Sequence, residues 1–250
     1  MKFANDLVVL LHYEPIFPTK LDTLRNAVGI DYTYKACYDW CKQNVRQQGL
    51  CIQFHQVSLT VMFSRPGFES AIEAWRYRTR HNNTMYDIYD GQLWNEFKDR
   101  DGNLFTSQAR SLLFTLNVDW FQSSKRNVYS VGAIYLTINN LPRSIRYKKE
   151  NIILVCVIPG PKEPKDTQIN NYLQVLVNDL KELYYGDFFT CTAESPNVPV
   201  QVRAALFLIA CDIPASRKVS GFTSFNATVP AQSAIYDQQP TQFIPYYLGP

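Results

Sequence analysis

Bulky apolar side chains concentrate in four short runs, over about 112–118, 129–138, 152–158 and 202–210. Each has strand length and is bounded by polar or turn-forming residues, the third by Pro159-Gly160-Pro161. Between the third and fourth runs the period changes. Ile169, Tyr172, Leu173, Leu176, Leu180 and Leu183 recur at helical spacing, and Gly186 follows, which predicts a helix over about 167–185. Further upstream, Phe68, Ile72 and Trp75 predict a helix over about 66–80, with Ser64 as cap and Pro66 near its first turn. A second short helix carries Leu93, Trp94 and Phe97, and Asp101-Gly102 marks a turn before the first strand. Residues 1 to about 60 hold no period: Pro15 and Pro18 break the early apolar stretch. From Val229 the text turns polar and rich in Gln and Pro, which reads as a loose tail.

The first and fourth runs each stop on an acid, Asp119 and Asp212. A strand buried on both faces has no cheap way to hold a carboxylate, because an unpaired buried charge is costly. An acid where the run ends keeps its charge at the sheet's edge, where ligands of open α/β sheets bind. Two such acids suit divalent cations; an Asp at a strand end also caps turns without further duty.

Composition narrows the class. The chain has 250 residues, 46% hydrophobic and 14% aromatic, enough for a sizeable core and unlike a disordered chain. A net charge of +3 means that any nucleic-acid footprint is local. Six cysteines are too sparse for a secreted disulfide scaffold; Cys156 and Cys211, inside apolar runs, read as reduced buried thiols of an intracellular protein. The apolar stretch Leu7 to Leu11 is too short for a signal-peptide core or a membrane span, so the reading is a soluble protein with no membrane partner.

Several blocks resemble one family. Leu116-Asn-Val-Asp-Trp-Phe-Gln122, Tyr129-Ser-Val-Gly-Ala-Ile-Tyr-Leu-Thr-Ile138, Asn140-Leu-Pro-Arg143, Ile158-Pro-Gly-Pro-Lys-Glu-Pro164 and Val202-Arg-Ala-Ala-Leu206 are similar to transposases of CACTA (En/Spm-like) DNA transposons, notably the fungal branch. The most specific block is Cys211-Asp-Ile-Pro-Ala-Ser-Arg-Lys-Val-Ser-Gly-Phe222. The resemblance spans roughly residues 63 to 228. It implies an α/β ribonuclease H-like mixed sheet in the order strand-strand-strand-helix-strand, which agrees with the order read from periodicity. The resulting division is an irregular N-terminal region at 1–62, a helical connecting region at 63–108, a partial DDE-type catalytic core at 109–228 and a polar tail at 229–250.

The resemblance also implies chemistry. Asp119 and Asp212 stand where the family places two catalytic acids that hold Mg (or Mn) for DNA cleavage and strand transfer. The third acid of such sites lies far downstream in the family. Here the only carboxylate side chain after Asp212 is Asp237, within the tail and on no helical pattern. The family's Gly-Cys continuation after Asn226-Ala-Thr is replaced by Val229-Pro-Ala. Cys37, Cys41, Cys51 and His55 offer four ligands of a type zinc accepts, but with wider pairs than the family's Cys-x2-Cys; ordinary thiols are the other reading. Basic residues cluster at Arg143, Arg146, Lys148 and Lys149, and again at Arg217 and Lys218 just after the second acid, where phosphate contacts are useful. The expectation is therefore a nuclear, truncated transposase that contacts transposon ends and target DNA, with other transposase subunits as further partners, and is inactive alone. The alternatives are a non-catalytic DNA-binding or complex-forming module, and a decayed element product with no cellular role.

Overall fold

The computed structural model describes residues 50–51, 58–79, 84–122, 130–158, 163–164 and 168–219. They form a mixed α/β fold on a six-stranded sheet of order β1-β4-β3-β2-β6-β5. The strands are β1 (Leu50–Cys51), β2 (Ser111–Gln122), β3 (Ser130–Ile138), β4 (Ile152–Ile158), β5 (Phe188–Thr190) and β6 (Val200–Ile209). β2, β3 and β4 form an antiparallel meander. β6 then returns parallel to β2, after the long helix that such a crossover requires.

The helices are α1 (Thr60–Phe63), α2 (Phe68–Glu73), α3 (Gln92–Glu96), α4 (Arg143–Arg146), α5 (Ile169–Tyr185) and α6 (Ile213–Val219). The predicted upstream helix is shorter than its pattern suggests, and a separate turn of helix precedes it. Gly67 adopts a left-handed φ of 79°, so α2 begins at Phe68, and Ser64 closes α1 by donating to the Val61 carbonyl. After Glu73 the chain tightens into a 3₁₀ turn, Ala74–Tyr77.

Alternation along β2 serves two cores. Leu112, Phe114, Leu116 and Val118 meet the stripe of α5 (Ile169, Leu173, Leu176, Leu180). Leu113, pointing the other way, packs with Trp75, Tyr89, Trp94 and Phe105. α5 ends as predicted, on Gly186 at φ 80°.

The end of the sheet where β3 leaves is closed by a group of hydrogen-bonded polar side chains. Asn140 donates to the Ser111 carbonyl (2.9 Å) and accepts from the Leu113 amide (2.8 Å), standing in for a strand. Arg146, 3% exposed, forms a two-pronged ion pair with Asp87 at 2.8 and 2.9 Å and donates to Leu141 O and to the Tyr89 hydroxyl. Tyr89 in turn donates to the Leu141 carbonyl at 2.6 Å.

Candidate functional site: two acids at the open end of the sheet

β2 does not stop at its acid. It runs to Gln122, and Asp119 still pairs with Ala133 of β3. What ends near Asp119 is the neighbour on the other side: β2 and β6 are last in register at Leu116 and Ile209, and the Ala210 amide donates to Leu116 O at 2.8 Å. Burial loosens there too, from the fully covered 111–116 to half-buried Asn117, Asp119 and Trp120. The extra strand residues hold to β3 through packing. Trp120 is opposite Gly132, and a Cβ on that glycine would run into the indole ring.

Asp212 is reached three residues after β6 ends, at the same end of the sheet. It is exposed, and it caps α6: Oδ1 accepts the Ala215 amide at 2.7 Å and its carbonyl accepts from Ser216 at 2.8 Å. The turn-capping duty is therefore present, and among the described residues the second carboxylate oxygen has no partner. Cys211 lies between the acids, half-buried in place of the full burial its sequence context predicts, because the strand has already ended. No disulfide joins it to Cys156, which is buried in β4. Burial above all, eased by the Val118 N–H and reinforced by Asp212 and then Asp119, pushes the Cys211 thiol up to about 11. Half-buried Tyr135 feels the same site: burial, then Asp119 and Cys211, raise its phenol's pKa. Tyr135 was absent from the candidates drawn from sequence. Its signal was the alternation Thr115, Asn117, Asp119 on β2 with Tyr135 and Thr137 on β3 and Asn139 just past its end, a period-2 polar face on an otherwise apolar pair.

The basic residues separate. Arg143, Lys148 and Lys149 are exposed, but on the β3–β4 connection, at the opposite end of the strands from Asp119. From Ala133, opposite Asp119, to Ile138 the strand covers roughly 17 Å at 3.4 Å per residue. Arg146 is corrected outright: its guanidinium is turned inward onto Asp87 and Tyr89, so it presents no face to a phosphate. Positions 217 and 218 lie in α6, directly after Asp212; their side chains are outside the described residues. Of the four suggested zinc ligands, Cys37, Cys41 and His55 lie outside the described residues, and Cys51 stands in β1 opposite Cys156. Among the described residues no group of three or more His, Cys, Asp or Glu is arranged to hold a metal ion. Nor, among them, is any helix long and apolar enough to cross a membrane.

The model of the transposase family tnp2 matches residues 82–240, a span that contains both acids and the whole meander. The chain belongs to that family. It is thus transposase-derived and of transposable-element character. No curated protein matches the chain. Within the tnp2 match fall both the closed end, with Asp87 and Arg146, and the open end, with Asp119 and Asp212.

Proposed function

We propose that the chain carries the acidic site of a CACTA-type transposase, and that Asp119 and Asp212 descend from ligands of a divalent cation used in DNA cleavage and strand transfer. The observation that carries this reading is the arrival of both acids at one sheet end, where β6 parts from β2. Asp119 and the second oxygen of Asp212 are hard donors, and Mg²⁺ is commonly held by one or two carboxylates with waters and phosphate completing its shell. No hydrogen bond or ion pair from a described residue ends on the Asp119 carboxylate, so no cation among the described residues competes for it there. A bound divalent ion would supply an acidified attacking water and charge stabilisation at the leaving oxygen. The strand order β4-β3-β2-β6, with β2 and β6 parallel, supports a ribonuclease H-like core over 109–228.

Two carboxylates leave the second ion of such a site unplaced, and the described residues complete no three-ligand group. By themselves these 250 residues therefore bind DNA in the nucleus without cutting it, through phosphate contacts near α6. A second reading, a module that keeps the fold without the chemistry, is favoured by Asp212 spending one oxygen on the α6 cap.

The test is the purified chain with a transposon-end duplex, with and without Mg²⁺ or Mn²⁺. Salt-sensitive binding without cleavage is the outcome of the first reading when Mn²⁺ tightens binding and Asp119→Ala removes that effect. Binding indifferent to metal and to Asp119→Ala selects the non-catalytic module. Replacing Arg217 and Lys218 with alanine weakens binding and flattens its salt dependence. Robust metal-dependent cleavage abolished by Asp119→Ala overturns the claim of inactivity.

A further inference from the structure

Backbone pairing between β2 and β6 gives out one amide too early. The Leu116 carbonyl takes the Ala210 amide at 2.8 Å, after which the chain of β6 turns toward α6. The next β2 amide on that side, Val118 N–H, donates to the sulfur of Cys211 at 3.0 Å. The same sulfur lies 3.9 Å from the Leu116 carbonyl, to which its S–H is directed. A side chain thus occupies the place of the next ladder partner, and it satisfies a half-buried amide that would otherwise lose its bond. Val118 directly precedes Asp119, and Cys211 directly precedes Asp212. One hydrogen bond therefore ties together the two segments that carry the acids.

We propose that Cys211 is a positioning residue, whose thiol splices the end of β6 onto Val118 and so sets the placement of Asp212 relative to Asp119. This rests on the reading of those two aspartates as divalent-cation ligands. The sulfur suits the task because it can both accept from Val118 and donate to Leu116, bridging successive sites of one strand edge. Its neighbours show that it does more than fill space. Cys211 packs against the large core, as Trp120 and Leu206 also do, yet of these it is Cys211 that bonds both the Val118 amide and the Leu116 carbonyl. Asp212, being exposed, depends for its position on the α6 cap on one side and on Cys211 on the other.

The experiment uses the full chain, with Mn²⁺ as the probe. Mn²⁺ affinity is measured by titration calorimetry, and the Val118 amide is followed by hydrogen exchange in NMR. Cys211→Ala is expected to speed Val118 exchange and to weaken Mn²⁺ binding by about tenfold, the usual scale for loss of a group that orients a metal ligand. Cys211→Ser, which keeps a donor and acceptor, is expected to restore both. Should Cys211→Ala not fold, Cys211→Val fills the space while removing the bond and stands in its place. Loss of Mn²⁺ binding in Asp119→Asn but not in Cys211→Ala or Cys211→Val overturns the positioning role and leaves the metal reading intact. Failure of Cys211→Ser to restore binding also overturns it. Equal Mn²⁺ binding by the unaltered chain and by Asp119→Asn sinks the metal reading itself, and the positioning role with it.

Discussion

The two ends of the central sheet treat charge in opposite ways. Where β3 leaves, Arg146 and Asp87 are covered, joined through two prongs and tied to Tyr89, Leu141 and Asn140. Where β6 leaves, Asp119 is half-buried and Asp212 exposed, and neither meets a cation of the described chain. The closed end uses its charges up as structure. The open end keeps carboxylate capacity unspent, which is what a ligand site requires. Cluster membership in sequence does not separate the two, since Arg146 stands one residue from Tyr147 and two from Lys148, both exposed.

The sharpest way to break this comparison is Arg146→Ala. It strands the Asp87 carboxylate and the Tyr89 hydroxyl in a covered site, and removal of one partner from a buried pair costs about 3–5 kcal/mol. Urea unfolding should show that loss, while Lys148→Ala, on the exposed side of the same turn, stays within about 0.5 kcal/mol. Equal and small effects would mean that the closed end is no frame.

Tyr89→Phe comes next, at about 1–3 kcal/mol, because the Leu141 carbonyl and an Arg146 N–H lose a buried partner. It also carries a pH signature. Burial, only partly offset by Arg146, pushes the Tyr89 phenol from 10.0 up to about 12. The folded chain therefore holds that proton more tightly than the unfolded chain. Its contribution is complete below pH 10 and is lost as pH rises toward 12. Unfolding free energy measured across that window should fall, and fall less steeply in the Phe variant.

The smallest effect on stability belongs to the open end. Asp119→Asn should change unfolding free energy by no more than about 0.5 kcal/mol, since no described ion pair is broken, while Mn²⁺ binding by calorimetry is lost. A large destabilisation would place Asp119 with the frame and remove the contrast.

Much of this fold was legible in the pattern of side chains. The four apolar runs correspond to β2, β3, β4 and β6, and the stripe from Ile169 to Leu183 is the buried face of α5. Short elements were less so. β1, β5, α4 and α6 have too few residues to display a period, and they form because neighbours supply partners: β4 for β1, β6 for β5, and the Asp212 cap for α6. Gly67 delayed the start of the upstream helix to Phe68 because its left-handed backbone serves a turn that brings Phe68 edge-on to Phe63 at 5.2 Å.

By itself, then, the sequence determined the order of the main elements, the faces they bury and the placing of an acid near the end of two strands. These follow from side-chain period and from the cost of burying charge, which are local properties. Only the tertiary structure decided that Asp119 lies inside β2 and not past it, because the length of a strand depends on its partner, here β3. Only it turned Arg146 inward, since the pull of Asp87 comes from 59 residues away in the chain. And only it set Cys211 against Val118, 93 residues apart, because a thiol becomes a ladder partner where two strands have first been brought side by side.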